Sequence, residues 1–251
     1  MAAHLKPERF SGEEYAEQTI ALCGQRLTGH RSGALYWDAQ DVLIVSDLHL
    51  EKGSARAHRG ALLPPYDTRE TLLNLAEVIE HFEPATVISL GDSFHDRNGY
   101  ARMSDTDRQI LAMLQDDRDW VWVTGNHDPE LSDEAGGVVV DQMKIGPLTL
   151  RHEPQPARAT HEIAGHLHPA AKLSMYGASL RRPCFVSNGL RLVMPAFGAF
   201  TGGLNVLDVA FEPLFGNDGL AIWMRGDDGL YPVAARQLRC DGATTVRPAR
   251  S

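Results

Sequence analysis

Cysteine is scarce: Cys23, Cys184 and Cys240 are the only three in the chain. An odd number without a spacing pattern argues against a disulfide framework or a zinc ribbon. It fits a reducing, cytoplasmic compartment in which the thiols are structural or incidental. Long apolar runs are also missing. None approaches the roughly 20 residues that a membrane-spanning helix needs, and the opening MAAHLKPERF carries no apolar signal core. No membrane partner is expected. Positive charge is in deficit, with 24 Lys and Arg against 33 Asp and Glu and a net charge of −9. That balance speaks against a broad nucleic-acid groove. It leaves room for a local site, because bound divalent cations supply positive charge where it matters. There is no internal repeat and no low-complexity segment.

What is present is an ordinary globular composition, 43% hydrophobic and 23% charged over 251 residues. The length suits one domain spanning 1–251 with a well-buried core, and with flexible ends at 1–16 and 241–251. Histidine is the exception to ordinariness. Eleven are present, and their positions are not random.

The run Val42–Glu51, VLIVSDLHLE, reads as a buried strand that ends in polar residues. In an extended chain, residues two apart face the same side. Asp47 and His49 can therefore offer an oxygen and a nitrogen to one point at the strand's C-terminal end, the edge where α/β sheets usually bind ligands. Two more strands repeat the pattern. Ala85–Leu90 runs into Gly91 and Asp92, and Trp120–Thr124 into Gly125, Asn126, His127 and Asp128. Between them, helical periodicity predicts a helix from Asp67 or Thr68 to Glu83, with Leu72, Leu73, Leu75, Ala76 and Ile79 on its apolar face. A second helix is predicted to begin at Ser104. Strand, helix, strand, helix, strand predicts a parallel sheet with right-handed crossovers.

Before this unit, Thr19–Cys23 and Ala34–Trp37 read as short strands around a turn at Thr28–Gly33. Beyond residue 137 the texture becomes β-rich, and a second, mostly antiparallel sheet is expected. A short helix near Phe197–Gly203 is the one helical signal there. LNVLDV (204–209) reads as a further strand. This half carries more polar strand ends: His152, His166 and His168. Lys52, Arg56, His58 and Arg59 form a basic loop after the first strand, placed to hold a phosphate or simply to face solvent.

Asp47, His49, Asp92, Asn126, His127, His152, His166 and His168 are carboxylate, amide and imidazole groups without a thiolate. Such N/O sets suit manganese, iron or zinc. Eight exceed one tetrahedral site and suit two adjacent metals sharing a carboxylate.

The ordered set Asp47-x-His49, Gly91-Asp92, Gly125-Asn126-His127-Asp128, His152 and Gly165-His166-Leu167-His168 resembles the calcineurin-like metallophosphoesterase superfamily. The resemblance implies an α/β fold, a sandwich of two mixed β-sheets flanked by helices, with a dinuclear metal site at strand C-terminal ends. It implies that Asp47, His49 and His168 bind one divalent ion. Asn126, His152 and His166 would bind the other, and Asp92 would bridge them. Asn126 would also touch substrate. His127 would be no ligand; it would face the scissile phosphate and help the leaving oxygen depart. Two ions about 3.5–4 Å apart yield a hydroxide near neutral pH and stabilise charge building on the phosphate.

Gly91-Asp92-Ser93-Phe94-His95 departs from the phosphatase pattern Gly-Asp-x-x-Asp-Arg. It is similar to the double-strand-break repair nucleases of the superfamily, which implies that His95 supports His127. SDLHLEKGSARAHRG, LPPYDTRETL, SLGDSFHD and GNHDP further resemble the bacterial ligase-associated DNA-damage-response metallophosphoesterases. That branch implies a manganese-dependent endonuclease on single-stranded DNA, with zinc or iron as other candidate ions. It also implies repair partners: a DNA ligase, a helicase and a nuclease. Lys52, Arg56 and Arg59 would then contact the DNA backbone. Two other readings remain at this point. One is the same chemistry on a small nucleotide diester or a monoester. The other is a scaffold that binds metal without turnover.

Overall fold

A computed structural model describes residues 16–57, 66–156, 161–175, 178–216 and 219–241. The first half alternates strands and helices, as its periodicity demands. β1 (Glu17–Leu22), β2 (Gln25–His30), β3 (Leu35–Trp37) and β4 (Val42–Val45) form a meander. Then come α1 (Lys52–Ala57), α2 (Asp67–Phe82), β5 (Thr86–Leu90), α3 (Gly99–Arg102), α4 (Asp105–Gln115), β6 (Asp119–Val123) and β7 (Val138–Val140). These strands make one sheet in the order β1-β2-β3-β4-β5-β6-β7. It is antiparallel up to β4 and parallel from β4 to β7.

The second sheet uses β8 (Gln142–Ile145), β9 (Leu148–Arg151), β10 (Glu162–Ala164), β11 (Ala170–Met175), β12 (Ala178–Ser187), β13 (Arg191–Val193), β14 (Ala221–Arg225) and β15 (Leu230–Ala234). α5 (Glu212–Phe215) precedes β14. The order is β15-β14-β12-β13-β10-β9-β8, with β11 paired to β12 alone. β9, β10 and β13 run parallel.

Side chains alternate across each strand, and this decides what packs where. Ile44, Ile88, Leu90, Val121 and Val123 meet Leu148, Leu150, Ile163, Phe185 and Leu192 between the two sheets. Leu43, Val45, Val87 and Trp122 face the other way, onto Leu72, Leu75, Val78 and Ile79 of α2 and Leu111 and Leu114 of α4. Val186, Val193, Ile222 and Met224 cover the far face of the second sheet, against Leu214 and Phe215 of α5. Each aliphatic side chain fully buried this way contributes about 1.5–3 kcal/mol.

Local chemistry sets the helix ends. Ser104 caps α4 by accepting the Asp107 amide, a contact that stabilises by about 1 kcal/mol. α2 stops where Glu83 turns left-handed, at φ 46°. A buried ion pair joins two strands of the second sheet. Arg191 Nε donates to Glu162 Oε1 at 2.6 Å with both side chains 1% exposed, and the guanidinium also reaches the carbonyls of Leu214 and Gln155. It ties β10 and β13 to the approach of α5.

Several expectations are corrected. The turn placed at Thr28–Gly33 is partly strand: β2 fills Gln25–His30, with Leu27 and Gly29 turned inward, and the hairpin turn is at Cys23–Gly24. Leu73 is 51% exposed rather than on the buried face of α2. Lys52–Ala57 is helical rather than loop. Phe197–Gly203 is not a helix but a bent segment whose backbone bonds to neighbouring loops, and residues 204–209 form no strand. Among the described residues of this half the α-helix is α5. β15 was not foreseen, since Pro232 interrupts it; the strand lies at the sheet edge, where a missing N–H is tolerated. The second sheet is mostly antiparallel, as expected, and is mixed because β10 runs parallel to both β9 and β13. The ends expected to be flexible fall outside the described residues, apart from Ala16 and Asp241. No described helix is long and apolar enough to cross a membrane.

Candidate metal centre

Five parallel strands, three from one sheet and two from the other, deliver polar residues to one edge. β4 ends in Ser46–His49, β5 in Gly91–Asp92, β6 in Gly125–Asp128, β9 in His152 and β10 in Gly165–His168. The loops are stitched together by backbone. Asp47 N–H donates to Gly91 O, His49 N–H to Asp92 O and Gly165 N–H to His152 O. Asp47, His49, Asp92, His166 and His168 all have left-handed backbone, with φ between 45° and 68°. Such residues are rare and tend to gather at functional sites.

Two groups of three result. Asp47, His49 and His168 bring ligand atoms within 4.8 Å of one another, and so do Asp92, His152 and His166. His49 Nε2 and His168 Nε2 are 3.3 Å apart, and His166 Nδ1 and His152 Nε2 3.2 Å. Asn126 Oδ1 joins the second group, 3.0 Å from His152 Nε2. Asp92 faces both groups: Oδ2 is 3.9 Å from His49 Nε2, and Oδ1 is 3.4 Å from His152 Nε2.

Neighbours orient the ligands. A carbonyl only accepts, so His152 Nδ1 donates to Leu90 O at 2.8 Å and His168 Nδ1 to Gly202 O at 3.0 Å. Each leaves Nε2 turned to the site. Asp47 Oδ2 is occupied by the Ser46 hydroxyl at 2.5 Å and the His166 amide at 3.0 Å. Gly165 must be glycine here, because a Cβ would stand 1.8 Å from Ser46 Oγ.

Asp128 is the residue whose role the sequence reading missed. It is buried, and its carboxylate accepts the amides of Asp92, Ser93, Phe94 and Gly125, so one side chain holds the β5 and β6 loops together. Burial pushes its carboxyl up to about 6 against the pull of those amides, with the Asp92 charge adding to the rise. Its place directly after Gly125-Asn126-His127 was the available signal.

His127 stands on the open side. Nδ1 donates to His95 O at 3.1 Å, and Nε2 lies 3.9 Å from Asp92 Oδ2. The His95 ring stacks on it, with centroids 5.4 Å apart. Lys52 opens α1; burial lowers the His49 imidazole, whereas at His168 burial is outweighed by the Asp47 contact, which raises it, and the Lys52 charge works against protonation of both. The side chain of Arg56 and the whole of Arg59 lie outside the described residues.

The donors fit divalent cations. Asp47 Oδ1 is completely buried and has no well-aligned hydrogen-bond donor among the described residues; the nearest nitrogen is His168 Nε2 at 3.0 Å. Burial opposes the charge on Asp47, but the His168 contact and the nearby imidazoles hold its carboxyl down at about 2. Burial lowers His49 to about 3 despite Asp47, so its imidazole is neutral near pH 7. An anionic oxygen beside a neutral imidazole is a ligand set, not a hydrogen-bonded core.

Residues 41–193 match the family model described as calcineurin-like phosphoesterase. The chain is similar to the Pseudomonas putida nuclease MPE at 27% identity and a TM-score of 0.69, over 86% of this chain and all of that one. Weaker likenesses include AQ665 of Aquifex aeolicus, of unknown function (19%, TM-score 0.36, covering 51% of this chain and 78% of that one), and the E. coli phosphoesterase Yfce (15%, TM-score 0.34, 78% and 94%). No curated protein matches the chain by sequence.

Proposed function

The chain belongs to the calcineurin-like phosphoesterase family, and we propose that it is a two-metal phosphodiesterase that cuts single-stranded DNA internally. Phosphoester hydrolysis follows from the family, and the nuclease neighbour makes the phosphodiester the coarser assignment. The observation that carries the mechanism is the position of Asp92, facing both ligand groups with His127 beside it.

In this reading Asp47, His49 and His168 would hold one ion, Asn126, His152 and His166 would hold the other, and Asp92 would serve both. When bound, such ions supply a nucleophile from water near neutral pH and draw negative charge off the phosphate. The protein's own residues do the rest. His127 keeps its Nδ1 proton on the His95 carbonyl, so Nε2 is the atom that passes a proton to the departing sugar oxygen. His95 positions that ring by stacking and by its carbonyl. Asn126, exposed at the tip of the β6 loop, reaches the substrate phosphate. Lys52 adds positive charge near His49 and His168, and Arg56 and Arg59, the next arginines in the sequence, would contact the DNA backbone.

A donor set without thiolate supports manganese, with zinc or iron as alternatives. Resemblance to the ligase-associated branch supports a cytoplasmic setting in DNA repair, beside a DNA ligase, a helicase and a nuclease. The test is nicking of circular single-stranded DNA with manganese, with His127→Ala as control. Linear product from the unaltered protein alone is the expected result. An intact circle together with turnover of small phosphate esters would replace this reading with a small-substrate esterase.

A further inference from the structure

Beside the centre, on the His168 side, lies a rim made by two elements that the mechanism does not use. One is the bent segment 197–203. The other is the β11–β12 hairpin, whose first strand lies off the main strand order and is tied to Asn205 and Leu238 by single bridges. We propose that this rim is the track for an unpaired strand: Phe200 is a stacking platform for a base, and Arg181 and Arg182 contact the phosphates on either side. The inference rests on the nuclease reading and adds to it the residues that would select single strands.

The segment is clamped to the site at both ends. Gly198 N–H donates to Asp47 O at 3.2 Å, and Gly202 O accepts from His168 Nδ1. At Gly203 a Cβ would stand 2.1 Å from His168 O, so only glycine allows the approach. Phe200 sits between these clamps and is 53% exposed. A single exposed aromatic is unremarkable on a protein surface. Held two residues from each of two backbone contacts to metal ligands, it cannot lie far from the reacting phosphate.

The hairpin brings the charge. His168, Arg181, Arg182, Thr201, Gly202 and Gly203 line one cavity of about 100 Å³. Arg181 donates to Gly203 O at 2.5 Å, which joins the hairpin to the segment. Arg181 also meets Asp241 at 3.5 Å, and Arg182 meets Asp227 at 3.2 Å. Asp227 is 86% exposed. Ion pairs this open to water are weak, and a phosphate can displace the carboxylate. In a chain of net charge −9, two arginines sharing a cavity with a metal ligand form a local exception. Aromatic face plus cationic groove is the arrangement that binds single strands without regard to sequence. A duplex keeps its bases stacked on each other and offers Phe200 nothing to stack on.

The experiment is fluorescence anisotropy with labelled oligothymidylate, using the His127→Ala protein so that the strand stays whole, together with a salt titration. Phe200→Ala should weaken binding about tenfold with the salt slope unchanged, and Phe200→Trp should restore it. An oligonucleotide of abasic units should be blind to Phe200→Ala. Arg181→Ala with Arg182→Ala should lower the slope of log K against log salt by about 1.4, at roughly 0.7 per lost phosphate contact on a single strand. Unchanged affinity and slope in these variants, with the circle still nicked by the unaltered protein, would overturn the track and leave the nuclease reading standing. If the unaltered protein neither binds the oligonucleotide nor nicks the circle, the nuclease reading fails and the track fails with it.

Discussion

The amide of His166 donates to Asp47 Oδ2 at 3.0 Å, across 119 residues of sequence. One residue of each ligand group is thus joined through backbone, and the same oxygen takes the Ser46 hydroxyl. The first contact depends on β10 passing close to the β4 loop at Gly165, where a Cβ would stand 1.8 Å from Ser46 Oγ and 2.5 Å from Asp47 Oδ2. Gly165→Ala should therefore push Ser46 and Asp47 away. Overpacking of this kind costs about 1–3 kcal/mol. We expect a lower melting temperature and weaker manganese binding in a calorimetric titration. Wild-type metal affinity in Gly165→Ala would mean that the Asp47 position does not depend on this contact.

Asp92 presents one oxygen to each group, 3.9 Å from His49 and 3.4 Å from His152. Asp92→Asn removes the shared charge and should weaken both ions together, by about tenfold or more each. Metal analysis after gel filtration should find neither ion retained. Full retention of one ion would assign Asp92 to a single site.

Much of this centre was legible in the sequence because a strand end followed by Asp-x-His, Gly-Asp or Gly-Asn-His is both a structural and a chemical signal. Strand alternation accounts for the buried runs at Leu43–Val45 and Val87–Leu90. Other features depend on contacts between distant segments and leave no local trace. β2 has Leu27 as its one large buried apolar residue and carries Gly29, so it reads as a turn; it is a strand because Ile20 and its neighbours pair with it. Segment 197–203 has the small residues of a turn and the phenylalanines of a helix face. What decides it is the carbonyl of Ser46, which accepts the Phe197 amide, and the carbonyl of Asp47, which accepts that of Gly198. Asp128 belongs to the same class, since its four amide partners only become neighbours when β5 and β6 align.

His30 gives a pH dependence unconnected with the metals. Burial lowers its imidazole to about 4, helped by the charges of Arg31, His81 and Arg225 and opposed by Glu17. An unfolded histidine titrates near 6.5. The unfolded chain therefore binds this proton more tightly, and stability falls as pH drops from about 6.5 toward 4, then levels. Urea midpoints at pH 7.5 and pH 5 should differ less in His30→Asn than in the unaltered protein. Equal differences would show that His30 is protonated in the folded state.

The role of His127 is best separated by varying the leaving group. Its Nε2 is the nitrogen left facing the site once Nδ1 donates to His95 O, and His95 stacks on the ring at a 22° interplanar angle. A general acid matters most when the departing oxygen is basic. His127→Ala should lose about 10²–10⁴-fold on a diester with an alkyl or sugar leaving group and much less on a nitrophenyl diester, whose anion departs unaided. Rates across a series of leaving groups should then fall more steeply with leaving-group pKa in the variant. His95→Ala should shift in the same direction by a smaller factor, because it acts on the orientation of the ring and not on the proton. An equal loss across the series in His127→Ala would make His127 a phosphate-binding group, and proton delivery would have to come from elsewhere.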